Sequence, residues 1–370
     1  MSSAISLSEA GPLTEEQRAL AQTVREVVAR RADSAAVRAA TETELGYDTA
    51  LWQVLCEQIG VAALSIPEEY DGIGVGYLET HLVLGELARN LVPSPLLGSV
   101  VLGAQAVLAG GDAEACARLL PDVAAGAANL GLCWAGERGG WTASGLPVTA
   151  SADAGETTVD GTAHYVIGGH YADTFIVVAA AASGPVLVEV PADAAGVEVE
   201  VTAAMDPTRP LARVAFSGAT GTVIGAGAET VERVRAIALT ALSAEAVGAA
   251  EHLLELTVEY TGQRKQFGRV IGSFQALKHR MADLYVLVET SRSIALAAAE
   301  SLSATAAATA KAYSAESFET VAGEAIQLHG GIAITWEHDA HLYFKRAHGT
   351  AQLFGQPHEL LTGLEAAAGL

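Results

Sequence analysis

The spacing of apolar residues changes twice along the chain, from helical to strand-like near residue 127 and back to helical near residue 229. A period of 3.6 and a period of 2 belong to different packing units, so three consecutive units follow: helices, then strands, then helices. In the first unit, Thr14 with Gln17 three residues later reads as a capping box, and Leu20, Val24, Val27 and Val28 lie on one face of the helix it opens. A second helical segment is predicted around Tyr47–Gly60, then a loop where Pro67, Gly72 and Gly74 interrupt the pattern. Helix is predicted again over Gly76–Asn90 and from Leu96 to about Ala125.

In the middle third Thr, Val and Gly rise, and apolar runs shorten to strand length. Thr157-Thr158-Val159 running into Asp160-Gly161 predicts a hairpin turn. Phe175–Ala179, Val186–Val190, Val197–Val201 and Ala212–Phe216 read as further strands of a small barrel or sandwich. From about Glu229, Leu239, Leu242, Ala246, Ala250, Leu253 and Thr257 fall on one helical face, and Leu277, Met281, Leu284 and Val288 repeat the spacing. The Ala-rich run Ala295–Ala312 reads as continuous helix on propensity. The expected fold class is therefore α+β and multi-domain: an N-terminal α-helical domain (1–126), a middle β-barrel or sandwich domain (127–228) and a C-terminal four-helix bundle (229–370).

With 370 residues the chain is long enough for several packed units. Its apolar residues are spread evenly, and the most apolar stretch, Leu96–Ala109, is interrupted by Gly98, Ser99, Gly103 and Gln105, which predicts a buried helix and no membrane span. Met1–Ala10 lacks the basic start and apolar core of a secretory signal, so a cytoplasmic location is expected. Cys56, Cys116 and Cys133 are too far apart for a CxxC metal site and odd in number, and read as small buried apolar residues; no metal is expected. A formal net charge of −22 argues against nucleic acid as a partner. One local exception stands out: Tyr260–Ala282 has no Asp or Glu but carries Arg264, Lys265, Arg269, Lys278 and Arg280. Taken by itself, it reads as a solvated helix face.

Two segments are more specific. Tyr260-Thr261-Gly262-Gln263-Arg264-Lys265-Gln266-Phe267-Gly268, continued by Ile271-Gly272-Ser273-Phe274-Gln275 and Lys278-His279-Arg280-Met281-Ala282-Asp283, closely resembles the C-terminal signature of acyl-CoA dehydrogenases. Gln327-Leu328-His329-Gly330-Gly331-Ile332 resembles a second signature of that family, and Ile66-Pro67-Glu68-Glu69-Tyr70 and Glu86-Leu87-Ala88-Arg89-Asn90 extend the likeness into the first unit. The resemblance implies an α-domain, a β-domain and a C-terminal bundle, the order already read from periodicity. It also implies FAD as cofactor, an acyl-CoA substrate, electron-transfer flavoprotein as acceptor, and a homo- or hetero-tetramer. By position, Arg264, Phe267, Phe274, Gln275, Gln327, Leu328, His329, Gly330 and Gly331 inherit contacts to the pyrophosphate and adenosine of a neighbouring subunit's FAD. The residue types suit that role, since a guanidinium pairs in a fork with phosphate oxygens and glycines let backbone approach a ligand.

The resemblance also implies a carboxylate that removes a proton from the α-carbon of the thioester while hydride leaves the β-carbon. Counting from Gln327, Phe354 occupies that position; a gapped superposition on Ala347-His348-Gly349-Thr350 offers His348. The other family position falls on Ala238. Glu245 and Glu251 lie on the same helix as Ala238, and Glu245 is a candidate relocated base or, more simply, a solvated or intrahelical ion-pair residue. The segments expected to line the chain's own flavin, Gly131–Glu137 and Tyr165–Gly169, lack the family's hydroxyl donors, and Trp134 and Tyr165 read as core residues of the barrel. The losses share a direction: the half of the site given to a neighbour is kept, and the half serving the chain's own flavin is eroded. Four readings stay open: a subunit lacking the base, paired with a related chain; a self-sufficient homotetramer; a non-catalytic scaffold; or a flavin oxidase or monooxygenase on the same fold.

Overall fold

The structure is a computed structural model that describes residues 13–153 and 156–368. Helix α1 (Glu15–Arg31) starts as its sequence directs: Gln17 N donates to Thr14 Oγ1 (3.2 Å) and Thr14 N donates to Gln17 Oε1 (2.9 Å). Its buried face is Val24, Val27 and Val28. Asp33 and Asp48 cap α2 (Ser34–Thr41) and α3 (Thr49–Val54), each accepting backbone N–H groups that a helix start leaves free. After the Pro67–Gly74 loop comes α4 (Tyr77–Arg89).

The expected helix from Leu96 to about Ala125 is three pieces: a wide π-helical stretch (Leu96–Ala104), then α5 (Gln105–Gly110) and α6 (Ala113–Ala124), separated by Gly111 at φ +76°. The first piece is buried throughout and lies directly on the middle domain. A Cβ on Gly98 would stand 2.6 Å from Ile167 O, and one on Gly103 would stand 2.4 Å from Leu130 Cβ. Glycine is thus what lets this segment approach.

The middle domain closes into a barrel. Strands β2 (Val148–Asp153), β3 (Glu156–Ile167), β7 (Leu211–Ala226), β5 (Gly184–Pro191) and β4 (Thr174–Ala181) form a ring that returns from β4 to β2. The parallel strand β1 (Leu130–Cys133) flanks β4, and β6 (Val197–Thr202) flanks β7. Inward-pointing Val159, Val177, Val188, Val214, Phe175 and Phe216 fill the interior. The hairpin expected at Asp160-Gly161 is not there: both residues lie inside β3. Gly161 (φ +132°) marks a register shift against β7, where a Cβ would meet Pro147 O at 2.3 Å, and Asp160 accepts from Gly218 N at 2.7 Å. The Asp-Gly pair served a bulge instead of a turn.

The bundle comprises α7 (Ala228–Gln263), α8 (Gln275–Ser301), α9 (Ala304–His329) and α10 (Ala340–Gln352), with α11 (Pro357–Ala368) packed on α9. A small hairpin of β8 (Lys265–Gln266) and β9 (Arg269–Val270) joins α7 to α8. The Ala-rich run is not one helix: Leu302 (φ +47°) ends α8 and Ser303 caps α9 through Ala306 N. Propensity gave no sign of this break because serine caps are as polar as the surrounding surface positions.

Helix α7 is long and apolar enough by length and composition to cross a membrane, but it is mostly buried as the central helix of the fold. It crosses α4 at two glycines, where a Cβ on Gly248 would be 2.0 Å from Gly85 O. One continuous apolar core joins the N-terminal helices, the outer face of the barrel and α7. All three cysteines are buried and free.

Candidate functional site

The residues singled out in the sequence gather in two places. The first is the end of the bundle where α7, the β8–β9 hairpin and the C-terminus of α9 meet. Arg264 follows directly on α7; it is exposed, and its guanidinium has no hydrogen bond or ion pair among the described residues. Phe267 sits at the hairpin tip, 89 % exposed and at φ +53°, with Phe274 edge-on at 6.2 Å. The Arg269 guanidinium lies 3.9 Å over the Phe274 ring. Gln275 contacts His279 at 2.8 Å. Of the basic residues here, Arg280 is tied to Glu324 of α9, whereas Arg264, Lys265 and Lys278 pair with no described carboxylate.

On the facing strand of chain, Gln327, Gly330 and Gly331 are exposed, while Leu328 and His329 are buried with their side chains turned into the bundle. Gly330 adopts φ +68°, ψ −148°, a region essentially restricted to glycine, and a Cβ on either Gly330 or Gly331 would meet nothing within 4 Å. The Gly-Gly pair therefore is not a response to crowding within the chain; it leaves bare backbone facing outward. Tyr260 ties the two segments together: its hydroxyl donates to His329 O (3.2 Å) and its ring stacks on the His329 ring at 4.5 Å. Burial holds His329 below its usual pKa, and its Nδ1 donates to Ala325 O at 2.8 Å, which fixes a neutral tautomer. A basic, glycine-open, aromatic-flanked surface of this kind suits a ligand with a pyrophosphate and a flat ring.

The second place is a cavity of about 460 Å³ between the barrel and α10. Trp141, Tyr165, Asp206 and Arg209 line it from the barrel side, and His348 and Leu353 from the bundle side. Phe354, at the family's base position, is 2 % exposed and lies behind this lining. It stacks on Trp141 (4.3 Å, 28°) and takes Trp134 edge-on (5.8 Å, 87°). Trp134 is buried, but not in the barrel interior expected for it: it joins the core outside the barrel, edge-on to Phe354, and its Nε1 donates to Thr142 O. Tyr165 instead lines the cavity at φ +58°, its hydroxyl donating to Glu137 O at 2.7 Å. The turn carrying Phe354 (φ +58°) is held from beneath by Lys311, a fully buried lysine whose Nζ donates to Ala351 O and Gly355 O, both at 3.3 Å. Burial, helped by the nearby Arg209 charge, pushes Lys311 down to about 7. Neither Lys311 nor its role was visible in the sequence; a lone Lys in an Ala-rich helix carries no such signal.

Glu245 is neither solvated nor intrahelical. It is 8 % exposed and paired with Arg209 from the barrel and, through its other oxygen, with Arg346 of α10 at 3.5 Å. Arg346 also pairs with Asp206 (2.6 Å), which accepts from Thr208 N and Oγ1. Burial alone would raise the Asp206 carboxyl, but Arg346 and Arg209 beside it hold it below its ordinary value. Both carboxylates of this four-charge cluster are thus neutralised by guanidinium groups, a poor state for a base. Glu251 is held by Arg89 (2.8 Å) and Arg292 (2.7 Å). Ala238 is fully buried. His348 lines the cavity, with Nδ1 2.9 Å from Glu319. Sequence reasoning passed over Glu137 as a candidate; it is an exposed cavity-lining carboxylate with no side-chain partner among the described residues.

A helical unit, a closed barrel and a helical bundle in this order define a class of flavoenzyme fold, and solved structures of the same build show it. The ChsE4–ChsE5 complex from Mycobacterium tuberculosis superposes with a TM-score of 0.90 at 30 % identity, covering 96 % of this chain and 98 % of that one. The Tcur3481–Tcur3483 steroid ACAD superposes at 0.89 with 29 % identity and the same coverage. Residues 14–127 match the model "Acyl-CoA dehydrogenase, N-terminal domain" and residues 226–360 match "Acyl-CoA dehydrogenase, C-terminal domain". The acyl-CoA dehydrogenase IpdE2 of Mycobacterium tuberculosis is 44 % identical over 352 residues, 95 % of this chain and 97 % of that protein. The chain belongs to the acyl-CoA dehydrogenase family, whose members are oxidoreductases.

Proposed function

We propose that this chain is the supporting subunit of an FAD-dependent acyl-CoA dehydrogenase, paired with a related subunit that supplies the catalytic base. The carrying observation is Phe354: the position that resemblance to the family gives to the base holds a phenylalanine buried against Trp141 and Trp134 on the turn that Lys311 binds, and the alternative position is the buried Ala238. The complex would remove hydrogens from the α and β carbons of an acyl-CoA thioester and pass electrons to electron-transfer flavoprotein. A bulky acyl group such as a steroid side chain is favoured by the likeness to a steroid ACAD, and a two-chain assembly by the likeness to the ChsE4–ChsE5 complex.

The chain's residues fit one end of FAD. Arg264 would pair with the pyrophosphate, Gly330 and Gly331 would let it approach backbone, and Phe267, Phe274, Gln275 and Gln327 would border the adenosine. Tyr260 and His329 would keep the two segments in register. FAD, when bound, supplies the acceptor for the hydride. At the chain's own cavity the fit is poorer, because the Tyr165 hydroxyl is already spent on Glu137 O.

The test is the FAD content of the chain purified alone and after co-expression with a dehydrogenase-like chain encoded beside it. Little flavin alone and about one flavin per pair of unlike chains supports the reading. A full complement in the isolated chain, with dehydrogenase activity, overturns it in favour of a homotetramer; the unpaired Glu137 at the cavity would then be the first base to remove.

A further inference from the structure

The outer cavity has a companion. A pocket of only about 30 Å³ lies on the other side of Arg209, lined by Leu84, Leu87, Val92, Leu97 and Ile167 from α4, the segment after it and the end of β3. Arg209 lines both spaces, and Glu245 with Arg346 completes the wall on the inner side. The outer cavity is lined by Arg138 and Lys345, which can meet an anionic head such as a phosphate, and by the carboxylates Glu137 and Glu359. Apolar walls lie behind an outer cavity of mixed charge, but a buried ion pair stands between them.

We propose that the Arg209–Glu245 pair is a seal that determines what this chain's own cavity accepts: it excludes an apolar acyl tail from the pocket behind it. Arg209 is 5 % exposed and anchored twice, to Glu245 and to Thr350 Oγ1 at 3.2 Å, so it has no free rotamer to swing aside. Opening the wall would leave Glu245 facing Arg346 alone and would strip a buried guanidinium of its partner, which disfavours transient passage. An apolar ligand gains nothing by displacing it. The inference rests on the acyl-CoA reading above, because the excluded tail is that of a thioester.

The seal can be opened without stranding a charge. In R209A/E245A the remaining Asp206 and Arg346 still pair at 2.6 Å. The full-length chain, purified with any subunit it binds, is titrated calorimetrically with acetyl-, butanoyl- and hexanoyl-CoA. In R209A/E245A an additional set of sites is expected whose affinity rises by about fourfold per added methylene, the gain for burying that group; the volume-conserving R209M/E245L should lack it. If the double alanine variant does not fold, R209A/E245Q, which opens the wall on the Arg209 side and leaves a neutral amide beside Arg346, gives the same readout. A folded opening variant with the same chain-length dependence as the parent overturns the proposal. Flavin content is recorded on the same samples, so a full flavin complement in the isolated parent chain defeats the supporting-subunit reading independently of the seal.

Discussion

Replacing Lys311 by methionine should remove a pH dependence that the folded protein carries in one side chain. Lys311 is fully buried, faces no carboxylate at hydrogen-bond distance, and is pushed down to about 7 from the usual 10.5. Below pH 7 the lysine is charged in both folded and unfolded chains, and the full cost of burying that charge weakens the fold. Between pH 7 and 10.5 the unfolded chain binds more protons than the folded one, so stability rises with pH over that window. From pH 6 to pH 9 the contribution works out on the order of 2–3 kcal/mol. Lys311→Met abolishes it, at the expense of the two contacts to Ala351 O and Gly355 O, each worth about 1 kcal/mol. Urea unfolding of both proteins at pH 6, 7.5 and 9 reads the difference directly, because every other titrating group is shared. The parent should gain on the variant as pH rises. Parallel curves would refute the reasoning and mean that Lys311 keeps an ordinary pKa through a partner or water contact.

Three further outcomes follow from the same geometry. Arg264→Ala should leave thermal stability within about 0.5 kcal/mol, as expected for an exposed unpaired side chain, yet lower the flavin retained by the assembled complex at least tenfold in FAD titrations. Phe354→Glu should not create dehydrogenase activity in the isolated chain and should cost several kcal/mol in unfolding experiments, since it buries a carboxylate between the rings of Trp134 and Trp141; activity at the level of a base-bearing relative would contradict the clamped-turn picture. Gly248→Ala should destabilise by about 1–3 kcal/mol despite its better helix propensity, because its methyl would strike Gly85 O across the α4–α7 crossing; an unchanged melting temperature would show that the two helices can separate freely.

Periodicity carried the architecture. The Thr14–Gln17 cap, the strands from Phe175 to Phe216 and the bundle helices were legible because each buries one face, and burial is what the pattern of apolar residues records. Two of the local failures have a common cause. Asp160-Gly161 and the Ser303 cap are short signals whose meaning depends on the packing around them: Pro147 leaves no room for a Cβ at Gly161, and Leu302 takes a left-handed conformation in a region rich in alanine. The same limit governed the site. The segments proposed to hold a ligand with backbone and exposed side chains, such as Arg264 and Gly330-Gly331, stand as contiguous motifs. The four-charge cluster draws Asp206 and Arg209 from the barrel, Glu245 from α7 and Arg346 from α10, and no window of sequence contains them together. In sequence Glu245 therefore reads only as a candidate base or as a solvated or intrahelical ion-pair residue, and its partners on the barrel and α10 are invisible.

The barrel itself is closed unevenly. Strands β4 and β5 run in register from Thr174 opposite Pro191 to Ala181 opposite Gly184, whereas β2 and β4 meet only at Thr149 opposite Ala180 among the described residues. The chain between β1 and β2, which delivers Trp141 to the face of Phe354, emerges beside this loosest seam. That segment can lengthen, shorten or exchange its aromatic residues while the hydrogen-bonded wall behind it stays intact. A barrel of this kind separates the hydrogen-bonded wall that keeps the shape from the segment that decides how far the cavity beside it is filled, so the cavity can change without the fold.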